Sequence, residues 1–427
     1  MHINSMQGFS KLSRTERFAR LLDMGMLTQE DIAYLSQGGV QSFTLAEKLI
    51  ENVIGYFQLP LGIATNFCID KQAYLIPMAV EETSIIAALS KTAKWINHTG
   101  YIETESTGDC ILGQIQLAKV KDVDRFIQIF TQNKQFLIEM ANEDIAASMV
   151  KRGGGVKDLN LRRIKRHDDT EMLVIHLTMN SCDAMGANLI NQILEYLKAP
   201  IEQLTNEKIS MCILSNLNDQ KLTKATVYIE NIDPNLGEKL QEASLFAEID
   251  PYRAATHNKG VMNGIDPVLI ATGNDWRAVE AGMHAFAARN GHYTSITQWR
   301  YQHNTLIGML EAPIIVGTVG GVTALHPTAQ LCLRLLGITS ATHLSRILAA
   351  VGLVQNLGAI RALCTDGITQ GHMKLHVDNL ILATDALEHE VPILKTRLQN
   401  WLTRHKRVSM SNAYDLLAEL RNTPCLL

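Results

Sequence analysis

Residues 251–277 read PYRAATHNKGVMNGIDPVLIATGNDWR and set lysine, histidine, amide and acid side chains on a glycine-punctuated frame. Within it, Lys259 lies in His257-Asn258-Lys259-Gly260, where small residues let a ligand approach the backbone. A lysine flanked by Gly260 and Gly264 in apolar company is costly to bury without an anionic partner or a task; the plain alternative is a solvated loop lysine. Asp275 follows at the mouth of a helix, where N-capping is its ordinary role. Glu81 and Glu82 fall in the first turn expected of another helix, a position that favours carboxylates whatever their function. His372 and His376 have the i, i+4 spacing of metal ligands, but Met373-Lys374-Leu375 between them supplies no glutamate base and no third ligand is evident, so we expect no metal.

The chain contains neither GxGxxG nor GxxxxGK[ST], which excludes a Rossmann fingerprint and a P-loop. DAMGAN at 183–188 instead opens a helix with Ile190, Ile193, Leu194 and Leu197 as its core stripe. The small residues leave backbone amides free for a pyrophosphate, although Asp183 as a simple N-cap explains the same pattern.

These side chains need a multi-domain α+β frame. Ser13-Arg14-Thr15-Glu16 and Thr44-Leu45-Ala46-Glu47 read as capping boxes, and Gly25 and Gly55 as helix ends. LPLGIATNFCIDKQAYLIP is rich in β-formers around an Asp70-Lys71 turn and leads to a helix over about 80–98. From about 110 to 216 the order becomes βαββαβ, with helices near 122–145 and 184–197 and KISMCILSN as the last strand. That order predicts a small ferredoxin-like domain inserted into a host. The host resumes with strand KATVYIE, a helix over 236–247, the 251–277 segment, a helix over 276–290 and the glycine-rich connection at 317–321; the last sixty residues are mostly helical behind a possible hinge at Gly367 and Gly371. We divide the chain at 1–108, 109–217, 218–368 and 369–427.

The 427 residues, 46% hydrophobic and 19% charged, suffice for two or three cores. A net charge of -4 without a basic block interleaved with aromatics argues against nucleic acid. No run of about eighteen apolar residues and no apolar centre near the N-terminus suggest a chain that stays in the cytoplasm, off the membrane. Seven cysteines without a CxxC pair fit reduced thiols.

Five separated motifs, PMAVEE at 77–82, DAMGAN at 183–188, HNKGVMNGID at 257–266, GNDW at 273–276 and GHM at 371–373, closely resemble those of the soluble, bacterial-type (class II) hydroxymethylglutaryl-CoA reductases. The likeness covers nearly the whole chain. It implies a large, mostly helical substrate domain, an inserted non-Rossmann dinucleotide domain and a mobile helical C-terminal flap. It further implies two hydride transfers from NADH or NADPH that interconvert hydroxymethylglutaryl-CoA with mevalonate and CoA, in a homodimer or an assembly of dimers with sites at the subunit boundary. By that resemblance Lys259 stabilises the oxyanion, Glu82 delivers a proton, Asp275 completes their hydrogen-bond network, and His372 protonates the departing thiolate. Asp183, Met185, Gly186 and Asn188 would hold the cofactor, with Asp144 nearest to the family's ribose selector in a segment one residue longer than the pattern. ENVIG at 51–55 matches a substrate-domain motif; Ser84, Asn216, Arg253 and Asn263 resemble substrate contacts, and Lys11 would meet a CoA phosphate. The rival reading is a non-redox acyl-CoA lyase or transferase, which wants an activated cysteine or metal ligands not evident here.

Overall fold

The computed structural model describes residues 6, 8–365, 367, 377–405 and 407–422. A 3-10 turn, Phe9–Lys11, precedes three short helices: α1 (Arg14–Asp23), α2 (Gln29–Ser36) and α3 (Phe43–Leu49). Ser13 and Glu16 form the expected capping box, and Thr28 with Asp31 forms a second that the sequence reading passed over. At α3 the cap is Ser42, which accepts from Leu45 N, rather than Thr44. Nor does Gly55 end that helix: α3 stops at Leu49, and 53–60 carry neither helix nor strand.

Strands β1 (Leu61–Ile69) and β2 (Gln72–Ala79) form a hairpin whose turn residues, Asp70 and Lys71, both take positive φ. Helix α4 (Ile85–Thr99) begins five residues later than the sequence suggests. Glu81 and Glu82 therefore precede the helix, and the helix-dipole explanation for them falls away.

Strand β3 (Gly100–Thr107) runs into the insert: β4 (Cys110–Leu117), α5 (Val123–Asp144), α6 (Ala147–Val150), β5 (Gly155–Lys165), β6 (Glu171–Asn180), α7 (Ala187–Thr205) and β7 (Met211–Leu214). Its sheet has the order β5-β6-β4-β7, antiparallel throughout, which is the ferredoxin-like arrangement the βαββαβ order predicts. The last strand is shorter than KISMCILSN, and α7 starts at Ala187 instead of 184 and runs on past Pro200. Ile115, Phe126, Leu177, Ile190 and Leu194 belong to a core within this sheet and its helices.

The host continues with β8 (Leu222–Ile229), α8 (Pro234–Ile249), α9 (Pro251–Ala271), α10 (Trp276–Ala287), β9 (Thr297–Gln302), β10 (Thr305–Ala312), α11 (Gly321–Leu325), α12 (Pro327–Leu336) and α13 (Ala341–Cys364). A second sheet, β3-β8-β10-β9, packs with α4, α9 and α13 around the largest core. Helix α13 is long and apolar enough to cross a membrane by length and composition, yet most of it is buried against α9, β8 and α4 as the central core helix. Helices α14 (Val391–His405) and α15 (Met410–Asn422) close on a separate small core with Val377, Leu394 and Leu417.

Candidate active site

From Pro251 to Ala271 the glycine-punctuated frame is a single helix, so the plain alternative of a loop lysine at 259 falls away. Asp250 caps α9 by accepting from Tyr252 N, Pro251 suits the first turn, and the buried stripe Ala254, Val261, Met262, Ile265 and Val268 holds the helix to the core despite its glycines. His257 and Asn258 face inward. His257 Nε2 lies 2.6 Å from Thr297 Oγ1 and 3.0 Å from Asn356 Nδ2, and burial, then the Arg253 charge, lower its pKa to about 3. The Asn258 amide donates to the Thr294 carbonyl at 2.9 Å and accepts from Ile296 N at 3.0 Å. Both side chains bolt α9 to the β9 region, so neither is free for substrate.

Lys259, the next residue, turns outward with its side chain 64% exposed and its Nζ 3.5 Å from Glu82 Oε2. Glu82, itself 41% exposed, sits in the bend between β2 and α4. Ser84 starts α4 in a left-handed conformation, φ 76°, which is costly for a side-chain-bearing residue and characteristic of functional turns. Glu82 and Ser84 line a cavity of about 1370 Å³ bounded by the N-terminal helices, β1, α4 and the ends of α9 and α11. Lys91 and Lys94 of α4 and Arg14 and Arg17 of α1 make its rim basic. Asn263 stands one turn beyond Lys259 on the same face of α9.

Asp275 caps α10, accepting from Ala278 N at 3.1 Å, with Arg277 Nε 3.6 Å from its carboxylate. Among the described residues it makes no hydrogen bond or ion pair with Lys259 or Glu82. Arg253 lies one turn before His257 on α9, and burial lowers its pKa. Lys11 ends the first 3-10 turn and is exposed. His372 and His376 lie outside the described residues. No group of three or more metal-ligating side chains converges among the described residues.

Around DAMGAN the cap is Gly186, φ 90°, not Asp183. A Cβ there would lie 2.7 Å from both Ile111 and Ser181, so backbone conformation and packing alone require glycine. Gly186 offers no side-chain cap, and among the described residues no hydrogen-bond acceptor meets the first-turn amides of Ala187, Asn188 and Leu189, at the positive end of a 19-residue helix. That donor set fits a dinucleotide pyrophosphate. The Asp183 carboxylate accepts from Ala341 N at 2.8 Å, and its carbonyl accepts from Thr318 N at 2.9 Å, tying the turn to the host. Asp144, at the end of α5, accepts from the Tyr196 hydroxyl, about 13 Å along α7 from its start. Asn216 and Met185 meet Ala278 of α10 around a small cavity between insert and host.

One connection had no sequence signal. The Gly317 amide donates to Asn274 Oδ1 at 2.8 Å, and a Cβ on Gly317 would stand 2.7 Å from Met185 N. The residue before Asp275 thus holds the loop against which the DAMGAN turn rests. Nothing but the glycine in 317–321 hinted at it.

Residues 13–377 match the family model described as hydroxymethylglutaryl-coenzyme A reductase. The 3-hydroxy-3-methylglutaryl-coenzyme A reductase of Archaeoglobus fulgidus is 41% identical over 423 residues, 97% of this chain and 94% of its own length. A solved 3-hydroxy-3-methylglutaryl-coenzyme A reductase from Streptococcus pneumoniae has a TM-score of 0.82 at 39% identity, covering 97% of this chain and 100% of that one. A class II structure from the same organism, bound to NADPH in open conformations, gives 0.81 at 39% identity over 84% of this chain and 100% of that one. The chain belongs to the hydroxymethylglutaryl-coenzyme A reductase family and is thereby an NAD(P)H-dependent oxidoreductase acting on a CoA thioester.

Proposed function

We propose that Lys259 and Glu82 are the reacting pair of a two-step reduction that interconverts (S)-hydroxymethylglutaryl-CoA with (R)-mevalonate and CoA. The observation that carries this is their 3.5 Å approach across 177 positions of sequence, beside a cavity large enough for a CoA ester. The Lys259 ammonium is placed to stabilise the oxyanion that forms on the thioester carbonyl, and again on the aldehyde. Glu82, paired with it, delivers the proton that neutralises that oxyanion. NADH or NADPH supplies the hydride at each step. The first-turn amides of α7 would hold its pyrophosphate, with Met185 and Asn188 at the same turn, Asp183 fixing the turn to the host and Asp144 toward the adenosine end. His372 is assigned to protonate the CoA thiolate, a task for a group titrating near neutrality. Asp275 positions the site from the α10 cap; Ser84, Asn263, Asn216, Arg253 and Lys11 are assigned to the ester. With these roles, 109–217 is the cofactor domain, 1–108 and 218–368 the ester domain, and 369–427 a mobile flap.

The working unit is read as a cytoplasmic homodimer, off the membrane. In support, the segment after α3 leaves Ile54 100% and Phe57 92% exposed, apolar surface that a second copy would cover.

The test is nicotinamide oxidation with two substrates. Wild type should deplete NADH or NADPH absorbance with both the CoA ester and free mevaldehyde, which a lyase or transferase would not do. His372→Gln should cripple reduction of the ester yet spare mevaldehyde, which has no thiolate to expel. Equal damage to both reactions would remove His372 from that role.

A further inference from the structure

Helix α9 presents Lys259 to Glu82 from a stretch that is weak by its own composition. Gly260 follows the lysine directly, and a Cβ there would meet nothing within 4 Å, so neither propensity nor local packing fixes the helix at that point. The anchorage comes from the residue before. Asn258 is buried, and both polar atoms of its amide are engaged: Oδ1 accepts from Ile296 N at 3.0 Å, and Nδ2 donates to the Thr294 carbonyl and to the Tyr293 hydroxyl, each at 2.9 Å. The Tyr293 hydroxyl in turn lies 2.7 Å from Nδ1 of His284 on α10, with the ring centroids 5.9 Å apart. A phenol has one proton to give. With Asn258 donating to its oxygen, that proton goes to His284 Nδ1, and the imidazole carries its own on Nε2.

Tyr293 is itself held from several sides. Its ring packs against the main core, and the residues after it are bonded to two helices. Thr294 N donates to the Ala287 carbonyl of α10 at 3.2 Å, Thr294 Oγ1 to the Glu248 carbonyl of α8 at 2.8 Å, and Ser295 N to the Ala247 carbonyl of α8 at 3.2 Å. The segment 293–296 is therefore a fixed post between α8, α9 and α10, and the Tyr293 hydroxyl is where α9 and α10 meet on it. Successive residues of a helix point about 100° apart around its axis, so an anchored Asn258 decides where Lys259 points. Reacting groups tolerate little error in that direction, since a misplacement of about 1 Å can cost about a hundredfold in rate.

We propose that Tyr293 is a positioning residue for the reduction: through Asn258 it fixes the rotation of α9 and so holds Lys259 3.5 Å from Glu82, with His284 as the acceptor that orients its hydroxyl. The proposal rests on the assignment of Lys259 and Glu82 to the reacting pair. Neither Tyr293 nor His284 is assigned a contact with the ester or the cofactor, so the signature is a loss of kcat with KM retained.

Three substitutions test this, each in purified, folded enzyme. Tyr293→Phe keeps the ring and removes the hydroxyl; its kcat with the CoA ester should fall about tenfold, while KM for the ester and for the nicotinamide cofactor stays within about twofold of wild type. His284→Leu removes the acceptor and should lose kcat in the same way. His284→Asn, which sets an amide oxygen near the place of Nδ1, should recover most of it. A role confined to stability would lower the urea midpoint and leave the kcat of the folded enzyme unchanged. Lys259→Ala is assayed alongside. If it loses turnover while Tyr293→Phe keeps wild-type kcat, or if His284→Asn is damaged as badly as His284→Leu, the positioning role is overturned and the reacting pair stands. An ester KM that rises as far as kcat falls would put Tyr293 in binding and overturn it too. Should Tyr293→Phe fail to fold, the two His284 variants carry the same comparison. Full turnover in Lys259→Ala would remove the reacting pair itself, and the proposal with it.

Discussion

His257, Asn258 and Lys259 divide one helical turn between two jobs: the first two are buried and bonded to the host, and the third reaches out to Glu82. Residue types made this run visible in the sequence, but not its conformation. Gly260, Gly264 and Pro267 lower helix propensity, and only the burial of alternate apolar residues against the core overrides them. Gly186 shows the opposite limit. Replacing it with valine would strain a left-handed cap and press on Ile111 and Ser181, so such a variant would report misfolding before any cofactor contact. Neutral, buried His257 gives a residue-scale prediction. Its folded pKa of about 3 lies below the ordinary value of 6.5, so its contribution to stability is complete above about 6.5 and lost as pH falls toward about 3. Urea midpoints of wild type should drop between about pH 7 and about pH 4, and those of His257→Gln should drop less. Parallel losses would mean that His257 is not what senses acid.

Among elements, local rules carried furthest. The Ser13 box, the Asp70-Lys71 turn, the Asp275 cap and the βαββαβ order were legible because each depends on neighbours within a few positions. The start of α4 was misplaced because 80–84 bend away from helix at Ser84, something no periodicity encodes. Long-range joints were silent, above all the one from Asn274 through Gly317 to Met185. Asn274→Ala would leave the Gly317 amide without its acceptor, a cost of about 1–2 kcal/mol. The loosened loop supports the DAMGAN turn, so the cofactor KM should rise about tenfold while that of the ester changes less. Equal changes in both would show that the joint is general scaffolding.

At the scale of the whole molecule, the host and insert keep separate cores and meet where Asn216, Met185 and Ala278 surround one small cavity. The order of elements made the β5-β6-β4-β7 sheet around the second core readable from sequence. Which surface the proposed dimer would cover was not, because apolar side chains of interface and core look alike in a linear pattern. Ile54→Asp combined with Phe57→Asp should convert a dimer into a monomer in sedimentation velocity and abolish turnover, with the fold of each chain retained. A dimer that survives both charges would place its interface elsewhere.

The central claim is that Lys259, paired with Glu82, stabilises the oxyanion of a CoA-thioester reduction. The most direct measurement is kcat of purified Lys259→Ala with the CoA ester and NADH or NADPH, taken beside circular dichroism and ester affinity. Loss of turnover by several orders of magnitude, with fold and ester binding largely kept, is the predicted result. Turnover near wild type in that variant would contradict the account.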